Sequence, residues 1–458
     1  MSARPDIAVD MLGAPGFGNI FRLAWPMTLK AVFLHGTVVI DGWLVAPLGE
    51  TSLAAMGLAA ALGGIILGII FAFSHAMQIR TAQAFGSGGL VYRKSVLAAG
   101  LSIGLVIGLI GVVVILVLGK PLLGSIAPTE AVSRQAWSYL SVFTLVILGE
   151  SIGQTIASYF NGCGRTKIPL IGYCLSVPVN VISSYALIHG LWGLPAFGVV
   201  GAAIGSAIGI SLQTLYLVSQ LSRNDGHLRR VSGWQRDRFA PTLRRHAVFA
   251  LPIAATFISA TLAGHVCTLI YARMALPSFA AMTLIAPWIM VTGQISMQWT
   301  QATGILVAQL LGKQATQSTL DQFLSRAWRG AFVAAGVVAG LMLVLTMSVD
   351  VLYPALLPET RAVLVGLLPI LLVLQFPRAT NAICGNTLRA SGDTVYVMKL
   401  FLWSQWAFRV PLTAICVLQF DLAAVWILAL LLAEEVVKFW PFHSRLWRGE
   451  WKRASVME

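Results

Sequence analysis

One carboxylate stands in the first long apolar run of this 458-residue chain. In TVVIDGWLVAP, residues 37–47, Asp41 is flanked by Val38, Val39, Ile40, Trp43, Leu44 and Val45, with no basic residue within a turn. An acid at membrane depth is costly, so it faces a cavity, a partner or an ion path. Removal from water favours the protonated form of a carboxylic acid, the property that proton coupling requires. Glu150, Arg378 and Arg409 interrupt later apolar runs. Arg409 is expected to line an internal cavity, although a long Arg side chain can also snorkel to the interface. Gln294, Gln298 and Gln301 share one run, and three amides do not face lipid readily, so they are expected to face a cleft. These residue types bind and move ions and polar molecules. The chemistry of an enzyme would need a catalytic cluster, and none is visible. No cysteine pair has metal-ligand spacing, so neither a metal nor a cofactor is expected. No GxxxxGKS or GxxxxGKT sequence appears, which argues against ATP as the energy source.

The elements that must carry these residues are membrane helices. Hydrophobic residues make up 57% of the chain and charged residues 10%, with mean hydropathy +0.82. Apolar runs long enough to span hydrocarbon recur from end to end, which indicates an all-α polytopic protein rather than a barrel of short alternating strands. Charged residues, Gly and Pro divide the chain into about twelve spans. They lie near 20–47, 52–83, 95–118, 132–160, 168–189, 198–221, 246–271, 278–310, 327–348, 362–387, 394–418 and 421–442. The net charge of +14 would suggest nucleic acid in a soluble chain. Here the basic residues cluster between spans and read as topology signals, so no nucleic-acid partner is expected. Arg229, Arg230, Arg236, Arg238, Arg244 and Arg245 form the densest cluster. Their asymmetry places both termini in the cytoplasm of a multi-pass protein of the inner (plasma) membrane.

The halves repeat. Pro26 in LAWP recurs as Pro252 in FALP, AAM at 54–56 as AAM at 280–282, and AQAFG at 82–86 as AQLLG at 308–312, all in one register. Gly164 and Thr166 recur as Gly392 and Thr394, in a register slightly longer. Six spans is an even number, so both halves enter the membrane from the same side. Two parallel six-helix bundles related by a pseudo-twofold along the membrane normal follow, with a central cleft. The expected organisation is 1–221 (N-lobe), 222–245 (basic linker), 246–442 (C-lobe) and 443–458 (basic tail). In the second register, Glu150 and Arg378 are equivalent positions of opposite charge. They are expected to meet across the cleft as a gate or to grip substrate, unless each pairs within its own lobe. Pro26 lies in the same helix as Asp41 and is the expected hinge.

LAWPMTLKAVFLHGTVVIDGWLVAPLGETSLAAMGLA, with NGCGRTKIPLI after the fourth span and LRASGDTVYV after the tenth, resembles the multidrug and toxic compound extrusion (MATE) transporters. The resemblance covers residues 18–440 and implies a V-shaped two-lobed exporter driven by inward H+ or Na+. Family members combine a first-span carboxylate with polar groups on spans four and five, and here those positions hold Asp41, Tyr139, Asn180 and Ser184. By helical rise all four lie roughly 8–14 Å from the outer end of their spans. Ser184 stands where many relatives have a second Asp or Asn. Ala260 and Arg378 occupy the places of the acids that some relatives carry in the C-lobe, so the resemblance implies N-lobe coupling and a basic C-lobe. Sodium wants several oxygen ligands and a proton only one suitable carboxylate, so H+ is favoured over Na+. The reading is a monomeric antiporter that exports small amphiphilic organic compounds, with membrane lipid its other partner. The alternatives are a flippase for a lipid-linked molecule and an exporter of an organic anion or zwitterion.

Overall fold

The computed structural model describes residues 15–226, 239–354 and 356–453. Arg229, Arg230, Arg236 and Arg238 of the linker lie outside the described residues. All regular structure among the described residues is helical. The first half comprises α1 (Phe17–Val45, continued by a 3-10 turn, Ala46–Leu48), α2 (Glu50–Gly86), α3 (Leu90–Ile126), α4 (Glu130–Gly162), α5 (Lys167–His189) and α6 (Val199–Asp225). The second begins with α7 (Phe239–Tyr271), α8 (Leu276–Gly312), α9 (Gln317–Met347) and the short α10 (Val349–Leu352). It ends with α11 (Pro358–Ala390), α12 (Thr394–Trp403), α13 (Val410–Leu418) and α14 (Ala424–Trp447).

Among the described residues, eleven helical segments are long and apolar enough to cross a membrane, with α12 and α13 counted as one. Helix α14 follows as the twelfth long helix and carries Glu434, Glu435 and Lys438. The chain is thus a multi-span membrane protein. Its outward surface agrees: Val39, Trp43 and Leu269 are about three-quarters exposed, as expected of side chains that meet lipid rather than water.

The repeat has a structural counterpart. Helices α2 and α8 are both 37 residues long and begin at equivalent positions of the first register, Glu50 and Leu276. Helices α4 and α11 are both 33 residues long and begin at equivalent positions of the second, Glu130 and Pro358. Each of the latter pair ends in a turn whose glycine has positive φ, Gly164 at 78° and Gly392 at 100°, a conformation that costs any other residue. The residue after each glycine carries a charge, and the charges are opposite. Arg165 pairs with Asp225 at 2.9 Å, and Asp393 pairs with Arg445 at 2.9 Å. The same turn is thus tied to the end of its bundle by ion pairs of reversed polarity.

The chain forms two compact units. One lies within Leu29–Ala254; the other joins the described residues up to Thr28 to those from Ala255 onward. The division falls inside α1 and α7, shortly after Pro26 and Pro252, and not in the linker. Local contacts account for it. Phe17 on α1 packs on Trp299 of α8 at 4.8 Å, and Arg80 of α2 lies over Phe249 of α7 at 4.2 Å. Each half of the sequence thus lends the first turns of its leading helix to the other unit.

Span eleven is not one regular helix. Between α12 and α13 the chain makes a π-helical turn, Ser404–Arg409, and Pro411 follows directly. A π-turn shifts side-chain direction within a helix and is common at functional positions.

Candidate functional site

Asp41 sits on α1 with Val38, Val39 and Trp43 turned outward and its own side chain inward, 8% exposed. Helices α5 and α6 meet it there because α6 carries Gly201, Gly205 and Gly209 against α5. A Cβ on Gly201 would stand 2.6 Å from the carbonyl carbon of Leu187, and one on Gly205 would stand 2.6 Å from the Ser184 nitrogen. Glycine lets the two backbones approach, as small residues do in membrane helix pairs. The approach delivers Ser206, whose hydroxyl donates to Asp41 Oδ2 at 3.3 Å. The Asn180 amide in turn donates to the Ser206 oxygen at 3.0 Å. Tyr139 of α4 lies close enough to feel the Asp41 charge and is stacked on Phe143. Asp41 Oδ1 and Asn180 Oδ1 are buried without a hydrogen-bond partner. Among the described residues no cationic side chain bears on Asp41.

The structure therefore brings three of the four sequence-derived residues, Asp41, Tyr139 and Asn180, to one niche. Ser184 is placed differently. Its hydroxyl points to the Ala202 carbonyl at 3.5 Å, so it packs the α5–α6 seam and gives its oxygen to the helix backbone. Ser206 was missed. The available signal was GAAIGSAIG, in which glycines at every fourth residue mark a close-packing helix face and one hydroxyl stands beside it.

Glu150 and Arg378 each find partners in their own unit. Glu150, 6% exposed, interacts with Lys30 of α1 and Tyr173 of α5. Arg378 Nε stands 4.0 Å from Glu435 Oε1, with its side chain about one-third exposed. Each thus has an opposite charge within its own unit, one of the two arrangements expected from the sequence: α1 supplies Lys30 and α14 supplies Glu435. Gln294 and Gln298 are buried, one donating to the other at 3.1 Å along α8, while Gln301 is half-buried. Pro26 lies within a continuous α1.

The basic residues expected in the C-terminal half are accompanied by acids. Helix α14 places Glu434 and Glu435 among Arg378, Arg409 and Lys438. Glu434 accepts from Ser404 at 3.0 Å, Lys438 at 3.3 Å and Arg409 at 3.4 Å. Glu435 accepts from Lys438 and Asn381, both at 2.9 Å. The cluster has two acids and three bases, so most of its positive charge is neutralised internally. Arg409 therefore points inward and does not snorkel. It also approaches Cys267, the residue equivalent to Asp41 in the first register of the repeat. The acids were overlooked because AEEVVK lies in the last span, where charge resembles a helix end.

Multiple membrane spans and a paired set of helix lengths define a multi-span membrane protein with repeated halves, and its first half buries an acid that no cationic side chain faces among the described residues. Residues 26–186 match the MatE family model. An uncharacterized transporter, YisQ of Bacillus subtilis, is 22% identical over 94% of each chain. A probable multidrug resistance protein, NorM of Burkholderia pseudomallei, is 28% identical over 44% of this chain and 43% of its own. A solved structure described as MATE in the bent conformation superposes with TM-score 0.83 at 18% identity, covering 95% of this chain and 96% of the other. The matched segment and the relatives show sequence similarity to MATE transporters, and the fold is the one those solved structures share.

Proposed function

We propose that this chain is a secondary active exporter of the plasma membrane, coupling inward H+ movement to efflux of small amphiphilic organic compounds. The observation that carries the reading is Asp41: buried, hydrogen-bonded on one oxygen only, and facing no cation. A carboxylate so placed can alternate between charged and neutral, and each state weights a different arrangement of the surrounding helices. The Ser206–Asn180 chain orients one oxygen and leaves Oδ1 as the proton acceptor. A proton needs only Asp41 Oδ1, whereas sodium would need the Asp41, Asn180, Ser206 and Tyr139 oxygens to converge on one point without Ser184, whose hydroxyl is turned to the backbone. Both termini are cytoplasmic in this reading, on the asymmetry of basic residues between spans.

An organic anion is the second reading, since Arg378, Arg409 and Lys438 exceed Glu434 and Glu435 by one charge. Efflux from inverted vesicles under separately imposed H+ and Na+ gradients, with ethidium and a sulfonated dye as probes, distinguishes them. We expect H+-driven ethidium movement that Asp41→Asn abolishes. Undiminished transport by Asp41→Asn under either gradient refutes the assignment.

A further inference from the structure

Asp41 is not the only buried ionisable residue of its unit. Lys30 lies eleven residues earlier on α1, three helical turns and about 16 Å along the same face. Its ammonium donates to Gln154 of α4 at 3.0 Å and lies over the Tyr173 ring at 5.4 Å. Lys30 is 8% exposed, Glu150 6% and Tyr173 4%. From the elements around Glu150, α1 presents Lys30, α5 Tyr173 and α6 Gln213, while its own helix adds Gln154. Lys30 and Tyr173 are the titratable members. Helices α2 and α3 pack on α4 through Leu140, Phe143, Ser151 and Thr155 and bring no charge to Glu150. Tyr173 interacts through its hydroxyl with both Glu150 and Gln213, and so links the carboxylate to the α5–α6 face.

A polar seam joins this cluster to Asp41. On α5, Tyr173, Ser176 and Asn180 occupy one face at helical spacing; on α6, Ser206 and Gln213 are two turns apart. Asp41, Ser206 and Asn180 form the first hydrogen-bonded group, and Ser176 donates to Gln213 at 3.3 Å in the next. Gly209 stands at the junction, where a Cβ would meet Asn180 Cβ at 2.9 Å and the Ser176 carbonyl at 3.3 Å. The seam is built by α1, α4, α5 and α6.

We propose that Glu150, with Lys30 as its counter-charge, is a second proton site in series with Asp41. This rests on the proton-coupled reading above. The O–H bond of the protonated Asp41 carboxyl breaks, and an O–H bond forms on the Glu150 carboxylate. Ser206 and Ser176, which both donate and accept, carry the proton along the seam, and Asn180 and Gln213 orient them. Lys30 keeps its three N–H bonds throughout and balances Glu150 whenever Glu150 is ionised. With the N-terminus cytoplasmic, Glu150 lies on the cytoplasmic side of Asp41, so the order of the sites matches inward proton flow.

The test compares Glu150→Gln, Lys30→Met, the double variant and Asp41→Asn in the full chain, reconstituted into vesicles with ethidium as probe. Two buried opposite charges kept only for packing tolerate joint neutralisation, because no uncompensated charge remains. We expect the double variant to purify as a stable protein that binds ethidium, yet to lose at least about tenfold of gradient-driven efflux, a factor equal to about 1.4 kcal/mol. Glu150→Asp, which keeps the carboxylate, should retain part of it. Wild-type efflux in the double variant overturns the proposal while Asp41→Asn remains inactive, which leaves the exporter reading intact. Efflux by Asp41→Asn refutes the exporter reading itself, and the series of sites with it.

Discussion

Asp225→Asn removes the carboxylate that ties three segments of the first unit together. Asp225 ends α6, its side chain 1% exposed, with Arg93 of α3 at 3.0 Å on one oxygen and Arg165 of the α4–α5 turn at 2.9 Å on the other. Arg93 is itself 9% exposed in its side chain and Arg165 22%. Removing one partner of a buried pair costs about 3–5 kcal/mol, because the remaining charge is left without compensation. Asparagine keeps the shape and one acceptor oxygen, so the loss is electrostatic and falls near the lower end, about 3 kcal/mol. The repeat provides an internal control. Asp393 sits in the equivalent turn of the second unit, but the Asp393 and Arg445 side chains are 26% and 32% exposed, and Arg445 also has Glu450 at 3.0 Å. Water and Glu450 absorb that substitution, and about 0–1 kcal/mol is expected for Asp393→Asn. Thermal unfolding of the purified protein in detergent, followed by retention of the monodisperse peak after heating at one fixed rate, measures both. At about 2–4 °C per kcal/mol, Asp225→Asn should lower the midpoint by about 6 °C or more and Asp393→Asn by less than about 4 °C. Equal shifts would show that burial of the Arg93–Asp225–Arg165 cluster contributes nothing beyond a surface ion pair.

Further substitutions separate the Asp41 niche from the helix packing that supports it. Ser206→Ala removes the hydrogen bond to Asp41 and the acceptor of the Asn180 amide, worth about 1–3 kcal/mol, and should reduce H+-driven efflux by about tenfold or more in vesicles. Ser184→Ala, whose hydroxyl serves only the Ala202 carbonyl, should leave efflux within about twofold; the reverse order of the two effects would contradict the placement of Ser206. Gly205→Val forces a side chain into the Ser184 hydroxyl and backbone, where neither helix can yield without separating. Loss of folded protein in fluorescence-detected chromatography is expected, while Gly336→Ala on α9, with open space around it, should express normally.

Much of the architecture was legible in the sequence because membrane insertion is a local, length-counting problem. Runs of about twenty apolar residues, charges between them and glycines at turns determine where helices begin and end. Both registers of the repeat hold in the helix lengths for the same reason: α2 and α8, and α4 and α11, were each copied as whole spans. Asp41 was equally visible, since an acid in an apolar run announces its own cost. Which side chains surround it was decided only by tertiary structure. Ser206 stands five helices further along the chain and reaches Asp41 because three glycines let α6 close on α5. Ser184, at the right depth and on the right helix, is turned to a backbone carbonyl by that same closure. Glu150 and Arg378 looked like partners because the repeat makes them equivalent, but equivalence says nothing of distance. Lys30 and Glu435 supply each of them an opposite charge within its own unit. The chain by itself determined its spans, their repetition and its most expensive charge. The counter-charges, the polar seam and the exchange of helix starts between units depend on the directions of packed helices, which no local pattern encodes.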